Sequence, residues 1–579
     1  MLTSAIELSR QALRAEGSSF RDQHVLLWFA ICLTLVCYYS ALGLQEAYVS
    51  DYILADDARQ HVFWMLRYVD GELLSNDIIA EYYQAIAPFG YKLIYFAANL
   101  LGVHPFDFSK YLPVIITVSS AYLCFRLSLL LVPLPSAAFV VTILFIQTYQ
   151  MQGDIYSGTA KAFSVPLLLA FLCAYVKRQP INTTVIAFLQ IAFFPITAVL
   201  SGTILAFGLV RFDGWLPILT KERKEFYFAV PCMVVILVLL SVYASQISSF
   251  GPIVSADHAR EMPEFLKGGR NAFFSDNWFD FFSMSRRVLI PTPVMTPVTL
   301  LFCLGFPLVI WHRKRFPIVA KIIENLGVLK LLFFAAIGLF ILAHLLVFNL
   351  YVPTRYAHLP LRIIFAVLAG FTLIILLDRA LKWINDETVE SQMRKYSFGI
   401  LLLLFLLLVP GYHLLVKGFP FTGYTSGPSP ELYQFLRQQP KSVVIASLSA
   451  ESDNISSFAE RSVLFSREHS IAYHRGYYDQ IRARIEDVIR AQYTPSSEKL
   501  IETINAHSID IWLLESDWQE PEYLLSNSWF LQFAAALNDA LSDKESRQVP
   551  VLQEYVSDCS TFRDVSHIAV STRCILSKL

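Results

Sequence analysis

Residues 25–42 read VLLWFAICLTLVCYYSAL, an apolar run without a single charged side chain. A helix needs about 20 residues of this kind to cross the roughly 30 Å hydrocarbon layer of a bilayer. The run is full length and lacks a small-residue cleavage site, so it reads as a retained span and not as a removable signal. Similar runs recur to residue 417. The chain is 55% hydrophobic and only 16% charged, less charge than a soluble domain carries, and its mean hydropathy is +0.49. The expectation is a polytopic α-helical membrane protein of about eleven spans, near 25–44, 111–131, 136–150, 161–176, 182–196, 198–212, 226–245, 294–312, 328–349, 361–381 and 398–416. No inverted internal repeat of the transporter type is visible.

Lys and Arg in short loops mark the cytoplasmic side. Arg10, Arg14 and Arg21 precede the first span. Under the eleven-span reading Lys177, Arg178, Lys221, Arg223, Lys224, Arg313, Lys314, Arg315, Arg394 and Lys395 fall on that same side. The opposite side receives 45–110, 151–160, 246–290, 350–360 and everything after the last span. This holds only if 89–102 (FGYKLIYFAANLLG) lies along the interface and does not cross it, which its modest length and Lys92 favour.

From about residue 425 the composition turns soluble. Short β-rich runs (SVVIASL, SVLFS, IDIWLLE) alternate with helical patterns (YDQIRARIEDVIRAQY, SSEKLIETINAH). The expected division is a membrane domain over 1–424, with its first external loop at 45–110, and an external α/β domain over 425–579 with a mainly parallel sheet. Six cysteines (Cys32, Cys37, Cys124, Cys173, Cys232, Cys303) lie in apolar spans and read as small buried hydrophobes. Cys559 and Cys574, in the polar tail, are the candidates for a disulfide if the tail faces an oxidising compartment.

Just past the first span stands ADDARQHVFW, residues 55–64. Carboxylates are costly in a bilayer, and here they sit at its surface. Asp57, His61 and Trp64 follow helical spacing and share one face. A carboxylate beside an imidazole can take a proton or orient a hydroxyl. The plainer reading is helix capping, for which Asp56 is the better candidate.

An early external Asp-Asp pair, an interfacial helix after it, many spans and an external C-terminal domain together resemble the GT-C class of membrane glycosyltransferases. The segments GDIYSGTAKAFSVPLL, EFLKGGRNAFF and YVPTRYAHLPLR also resemble bacterial, in particular cyanobacterial, members. The resemblance implies a polyprenyl-phosphate-linked sugar donor, and a glycan, lipid or protein acceptor. It also implies a catalytic base at Asp57 or Asp56 on the external face of a bacterial inner membrane, with the C-terminal domain in the periplasm. His61 joins the catalytic candidates.

A phosphate-bearing lipid needs cations at the membrane surface. The turn LYVPTRYAHLPLR offers Arg355, Tyr356, His358 and Arg362, held between Pro353 and Pro360, or else an interfacial anchor. The loop around GDIYSGTAK offers Asp154, Tyr156 and Lys161, or a simple Asp154–Lys161 ion pair. EFLKGGRNAFF offers Lys267 and Arg270 about a Gly-Gly hinge, or an amphipathic surface helix. With Trp64, these supply the substrate-binding candidates. In the tail, REHSIAYHRGYYDQIRAR collects His469, His474, Arg475, Tyr477 and Tyr478, as a sugar surface or a solvated loop. Asn454 begins the formal glycosylation string NIS.

No metal is required by this chemistry, although a divalent cation bridging phosphate and Asp56 is compatible with it. A net charge of −1 gives no pointer to nucleic acid. HExxH, nucleophile-elbow, P-loop and CxxC motifs are missing, which leaves metalloprotease, serine hydrolase, NTPase and redox readings without support. The rival classes are a transporter or flippase, and a silent scaffold. The former wants charges at mid-membrane, where the sequence offers little beyond Arg126 near a span end.

Overall fold

A computed structural model describes the chain apart from residues 1, 154, 214–215, 247–249, 276, 278–296, 313, 315–325, 387–389, 521–522 and 546–548. Among the described residues five helices are long and apolar enough to cross a membrane: Gln23–Glu46, Pro105–Leu131, Arg223–Tyr243, Gly327–Leu345 and Thr354–Ile384. The protein is an integral membrane protein. Shorter apolar helices lie among them, including Pro135–Gln150, Pro180–Phe193 and Pro195–Gly208. Each opens on proline, whose missing N–H costs nothing in a first turn. A 14-residue helix reaches only about 21 Å, which is why the eleven predicted spans do not all appear as full-length crossings.

The bundle has two distinct ends. At one, the Arg14 guanidinium donates twice to the Asp378 carboxylate at 2.7 Å, and Arg178 pairs with Glu225 at 3.1 Å. Asp378 lies about 35 Å down its helix from Arg355, a bilayer's thickness. At the Arg355 end, the Phe421 amide donates to Gln150 O at 2.7 Å and the Asp56 amide to Gly423 O at 3.0 Å. Strand β1 (Ile53–Ala55) pairs there with Tyr424–Ser426, antiparallel. The proposed boundary at 424/425 thus falls inside a strand joined to the first loop. Helix Phe89–Leu100 also lies at this end. Its exposed Phe89, Leu93, Phe96 and Leu100 form one stripe, while Tyr91 and Tyr95 face inward.

The tail builds a five-stranded sheet from Val444–Ser447, Ser462–Val463, Ile511–Glu515, Ser560–Arg563 and His567–Ser571. Val444–Ser447 pairs in parallel with both Ser462–Val463 and Ile511–Glu515. Ile511–Glu515 and Ser560–Arg563 both run antiparallel to His567–Ser571. The sheet is therefore mixed and not mainly parallel. The last two strands are joined by three residues, a connection that permits only an antiparallel pair. Cys559 and Cys574 form a disulfide across this edge.

Candidate active site

The helix Asp56–Val62 starts at the end of β1, with Ala55 as its N-cap and no side-chain cap bond. Asp56 is thus a first-turn residue, and the expected capping role is corrected. The strand pairing holds residue 55 extended, so the helix can begin only at residue 56. The Asp56 carboxylate instead accepts from Arg59 Nη2 at 2.5 Å. The carboxylate of Asp57, one residue on, has no hydrogen bond or ion pair among the described residues. Both acids gain from the helix N-terminus, by about 0.3–1 kcal/mol each.

His61 stands one turn beyond Asp57, with its ring edge-on to Tyr83 at 5.3 Å. Burial holds its imidazole below the ordinary value; the Asp57 carboxylate opposes that shift, and the charges of Lys161, Arg355 and Arg270 add to it. Residues 57, 161, 270 and 355, far apart in sequence, thus converge on one neutral imidazole.

Beside them lies a cavity lined by Lys161, Arg355, His358 and Arg362, with Tyr149, Ser164, Thr197 and Thr354, over an apolar floor that includes Phe194, Ile196 and Leu200. Among the described residues its lining holds four basic side chains and no carboxylate. The predicted turn at 350–360 is in fact largely helix: Thr354–Ile384 starts directly after Pro353 and runs through Pro360. Helical spacing then puts Arg355, His358 and Arg362 on one face and turns Tyr356 into the core, where it is 2% exposed. Arg362 lies over the Tyr149 ring at 5.6 Å, and Arg355 Nε is buried without a hydrogen-bond partner among the described residues. Lys161 is delivered by a loop that turns at Gly158. There φ is +60° and an added Cβ would stand 2.6 Å from Ser109 O, so only glycine fits.

The other predicted residues are placed differently. Trp64 is fully buried against Tyr68, because the helix tightens to a 3-10 turn at Phe63–Met65 and breaks the expected spacing. It does not line the cavity. Lys267 is exposed next to Gly268. Asp154 lies outside the described residues. Arg270 pairs with Glu468 at 2.5 Å. In the tail, His469, Tyr477 and Tyr478 are buried and serve docking: Tyr477 stacks on Tyr82 at 3.8 Å, and the His469 ring meets Phe63 at 4.7 Å. Asn454 is buried and accepts from Arg59, so the formal glycosylation string is closed to modification. Among the described residues no group of three or more His, Cys, Asp or Glu side chains is placed to hold a metal ion.

The docking surface is expected to respond to acid. Burial pulls His469 down to about 3, and the charges of Arg59 and Arg270 push the same way. Unfolded, the imidazole titrates near pH 6.5. Between those values the unfolded chain binds the extra proton, so stability is full above about pH 6.5 and declines as pH falls toward 3. The slope from this group approaches about 1.4 kcal/mol per pH unit. The melting temperature of the purified protein should fall from roughly pH 7 to about pH 5, and His469→Gln should flatten the profile. A wild-type melting temperature that holds constant over that range would contradict the placement of His469.

No protein family matches the sequence, and no curated protein does. Solved structures do match. The Archaeoglobus fulgidus oligosaccharyltransferase tethered to an acceptor peptide aligns with a TM-score of 0.54 at 11% identity, over 91% of this chain and 72% of that one. The archaeal oligosaccharyltransferase AglB from the same organism, in complex with an inhibitory peptide and a dolichol-phosphate, aligns at 0.51 and 10% identity, over 90% and 72%. The fold is that of the GT-C glycosyltransferases. ArnT from Cupriavidus metallidurans covers 95% of this chain and 98% of its own, at 12% identity and a TM-score of 0.49.

Proposed function

We propose that this GT-C-fold protein is a membrane glycosyltransferase that moves a sugar from a polyprenyl-phosphate donor to an acceptor hydroxyl on the external membrane face. The observation that carries the reading is the meeting, at one end of the bundle, of the Asp57 carboxylate with a cavity whose described lining is basic, over an apolar floor. In this reading Asp57 takes the proton of the acceptor hydroxyl as that oxygen bonds to the sugar's anomeric carbon. The bond from that carbon to the phosphate oxygen breaks, and polyprenyl phosphate leaves with the electron pair. Lys161, Arg355, His358 and Arg362 stabilise the charge gathering on the phosphate, which is where fixed cations in a water-poor site contribute most. His61, kept neutral, orients the acceptor hydroxyl or Asp57 by hydrogen bond, and Arg270 adds positive charge beside it. The cations of the cavity supply charge for the leaving group; were a divalent cation to bind, Asp56 is the residue that would hold it, and it would add to that neutralisation.

Asp57 is preferred over Asp56 as the base because the Asp56 carboxylate is already committed to Arg59. Incubating the purified protein with a labelled polyprenyl-phosphate sugar and a membrane-lipid or glycan extract tests the reading. Label transferred to a new product supports it, and an intact donor with every extract would count against it.

The same reading places the Arg355 end outside the cytoplasm and residues 425–579 as an external, periplasmic domain. The Arg- and Lys-rich opposite end and the Cys559–Cys574 disulfide both support that orientation. A cysteine introduced at Lys267 should react with an impermeant maleimide in intact cells, and one at Lys177 only after permeabilisation. The reverse pattern would turn the protein over and remove the donor site from the external face.

A further inference from the structure

Glu468 lies in the turn Ser466–Ser470 of the tail, where three segments meet. Its backbone carbonyl accepts from Gln60, on the helix that carries Asp57 and His61. Its amide donates to Asp453 Oδ1 at 2.8 Å. Its carboxylate holds Arg270 Nη2 at 2.5 Å. Arg270 is gripped further by Arg467 O, which accepts from Nε at 3.1 Å, and by Glu468 O, which accepts from Nη2 at 3.3 Å.

A guanidinium offers five N–H groups in a rigid planar fork. Here the Nε–Nη2 edge is taken, and both N–H groups of Nη1 are uncommitted among the described residues. One edge is docked and the other is presented, with the charge acting on His61. The loop bearing Arg270 is fastened independently on both sides. The buried Glu264 carboxylate accepts from Tyr478 Oη and from Arg482 Nη1, each at 2.8 Å. Asn271 Oδ1 accepts from the Ala472 amide at 3.0 Å. The Arg270 amide itself donates to Gln532 Oε1 at 3.2 Å. Removing the Glu468 carboxylate therefore leaves the loop in place and takes from the guanidinium its one ionic contact among the described residues, with only two longer bonds to backbone carbonyls left on that edge.

We propose that Glu468 is a positioning residue for the transfer reaction, which holds one edge of Arg270 so that its free amino group meets the anionic donor beside the Asp57–His61 helix. On this account the tail builds part of the active site. The inference rests on the polyprenyl-phosphate reading of that site. Pre-setting the fork means that the donor does not have to order a long side chain on binding, which is how a carboxylate away from the ligand raises affinity.

The test is binding of undecaprenyl phosphate to the full-length protein in detergent micelles. Glu468→Ala and Arg270→Ala should each weaken binding about tenfold, the scale of one charge-assisted contact. The double variant should be no weaker than Arg270→Ala alone, because the two residues act through one group. Glu468→Gln keeps an acceptor oxygen and should stay within about threefold of wild type. If Glu468→Ala fails to fold, Arg270→Lys makes the same test, since a point charge without a fork cannot be held by its edge. It should lose the same affinity. Wild-type binding with Glu468→Ala unchanged, with Arg270→Lys unchanged, or with losses that add in the double variant, overturns the positioning role. A wild-type protein that does not bind the probe overturns the lipid-phosphate reading itself, and the inference with it.

Discussion

Asp57→Asn is expected to lower sugar transfer by about 10²–10⁴-fold, the usual cost of losing a general base. The substitution is nearly isosteric, and the carboxylate it removes makes no hydrogen bond or ion pair among the described residues. Stability should therefore change by no more than the helix-terminus contribution, about 0.3–1 kcal/mol. Donor binding should survive, since the cations of the cavity are untouched. Asp56→Asn should behave in the opposite way. Its carboxylate is half exposed and paired with Arg59, so its removal loosens the tail-facing side of the helix and leaves transfer largely intact. Turnover by Asp57→Asn near the wild-type rate, measured with a lipid-linked donor, would remove this residue from the chemistry. Loss in Asp56→Asn alone would move the base one position back.

Arg355→Gln is expected to raise the donor KM by about 10–100-fold, from the loss of one or two charge-assisted hydrogen bonds to phosphate. The empty protein should not suffer. Arg355 Nε is buried without a hydrogen-bond partner among the described residues, so removing it orphans no described group there. A group held in an unsatisfied state at a site trades stability for function, and its loss is neutral or mildly stabilising. The expected signature is weaker donor binding with an unchanged or slightly raised melting temperature. An unchanged donor KM together with a lowered melting temperature would recast Arg355 as a structural residue.

Much of this arrangement is legible along the chain. The acid–imidazole pair follows from i, i+4 spacing, and the apolar runs locate the membrane helices. Basic residues at 161 and 355 stand out because each lies at the end of a predicted span, and Arg270 because it follows a Gly-Gly pair in an aromatic-rich loop. What escapes is whatever depends on a local break or a distant partner. Pro353 and Pro360 suggest a rigid turn, yet Pro353 precedes a helix that tolerates Pro360 in its second turn, and that helix puts Arg362 in line with Arg355 and His358. Trp64 falls off the predicted face because three residues wind as 3-10. Asp56 misses its cap because a strand more than 360 residues away holds Ala55 extended. Glu468 and Asn454 carry no local signal at all, since their partners Arg270 and Arg59 reach them only when the tail folds back on the first loop.

The most direct measurement is a cryo-electron microscopy structure of the protein in a lipid nanodisc with undecaprenyl phosphate bound. The account predicts phosphate density in the cavity, within hydrogen-bond reach of Lys161 and Arg355, with the prenyl chain running along the apolar floor and Asp57 facing the phosphate across the space left for the sugar. Phosphate density at the opposite, Asp378 end of the bundle, or lipid bound with the Lys161–Arg355 cavity still empty, would contradict it.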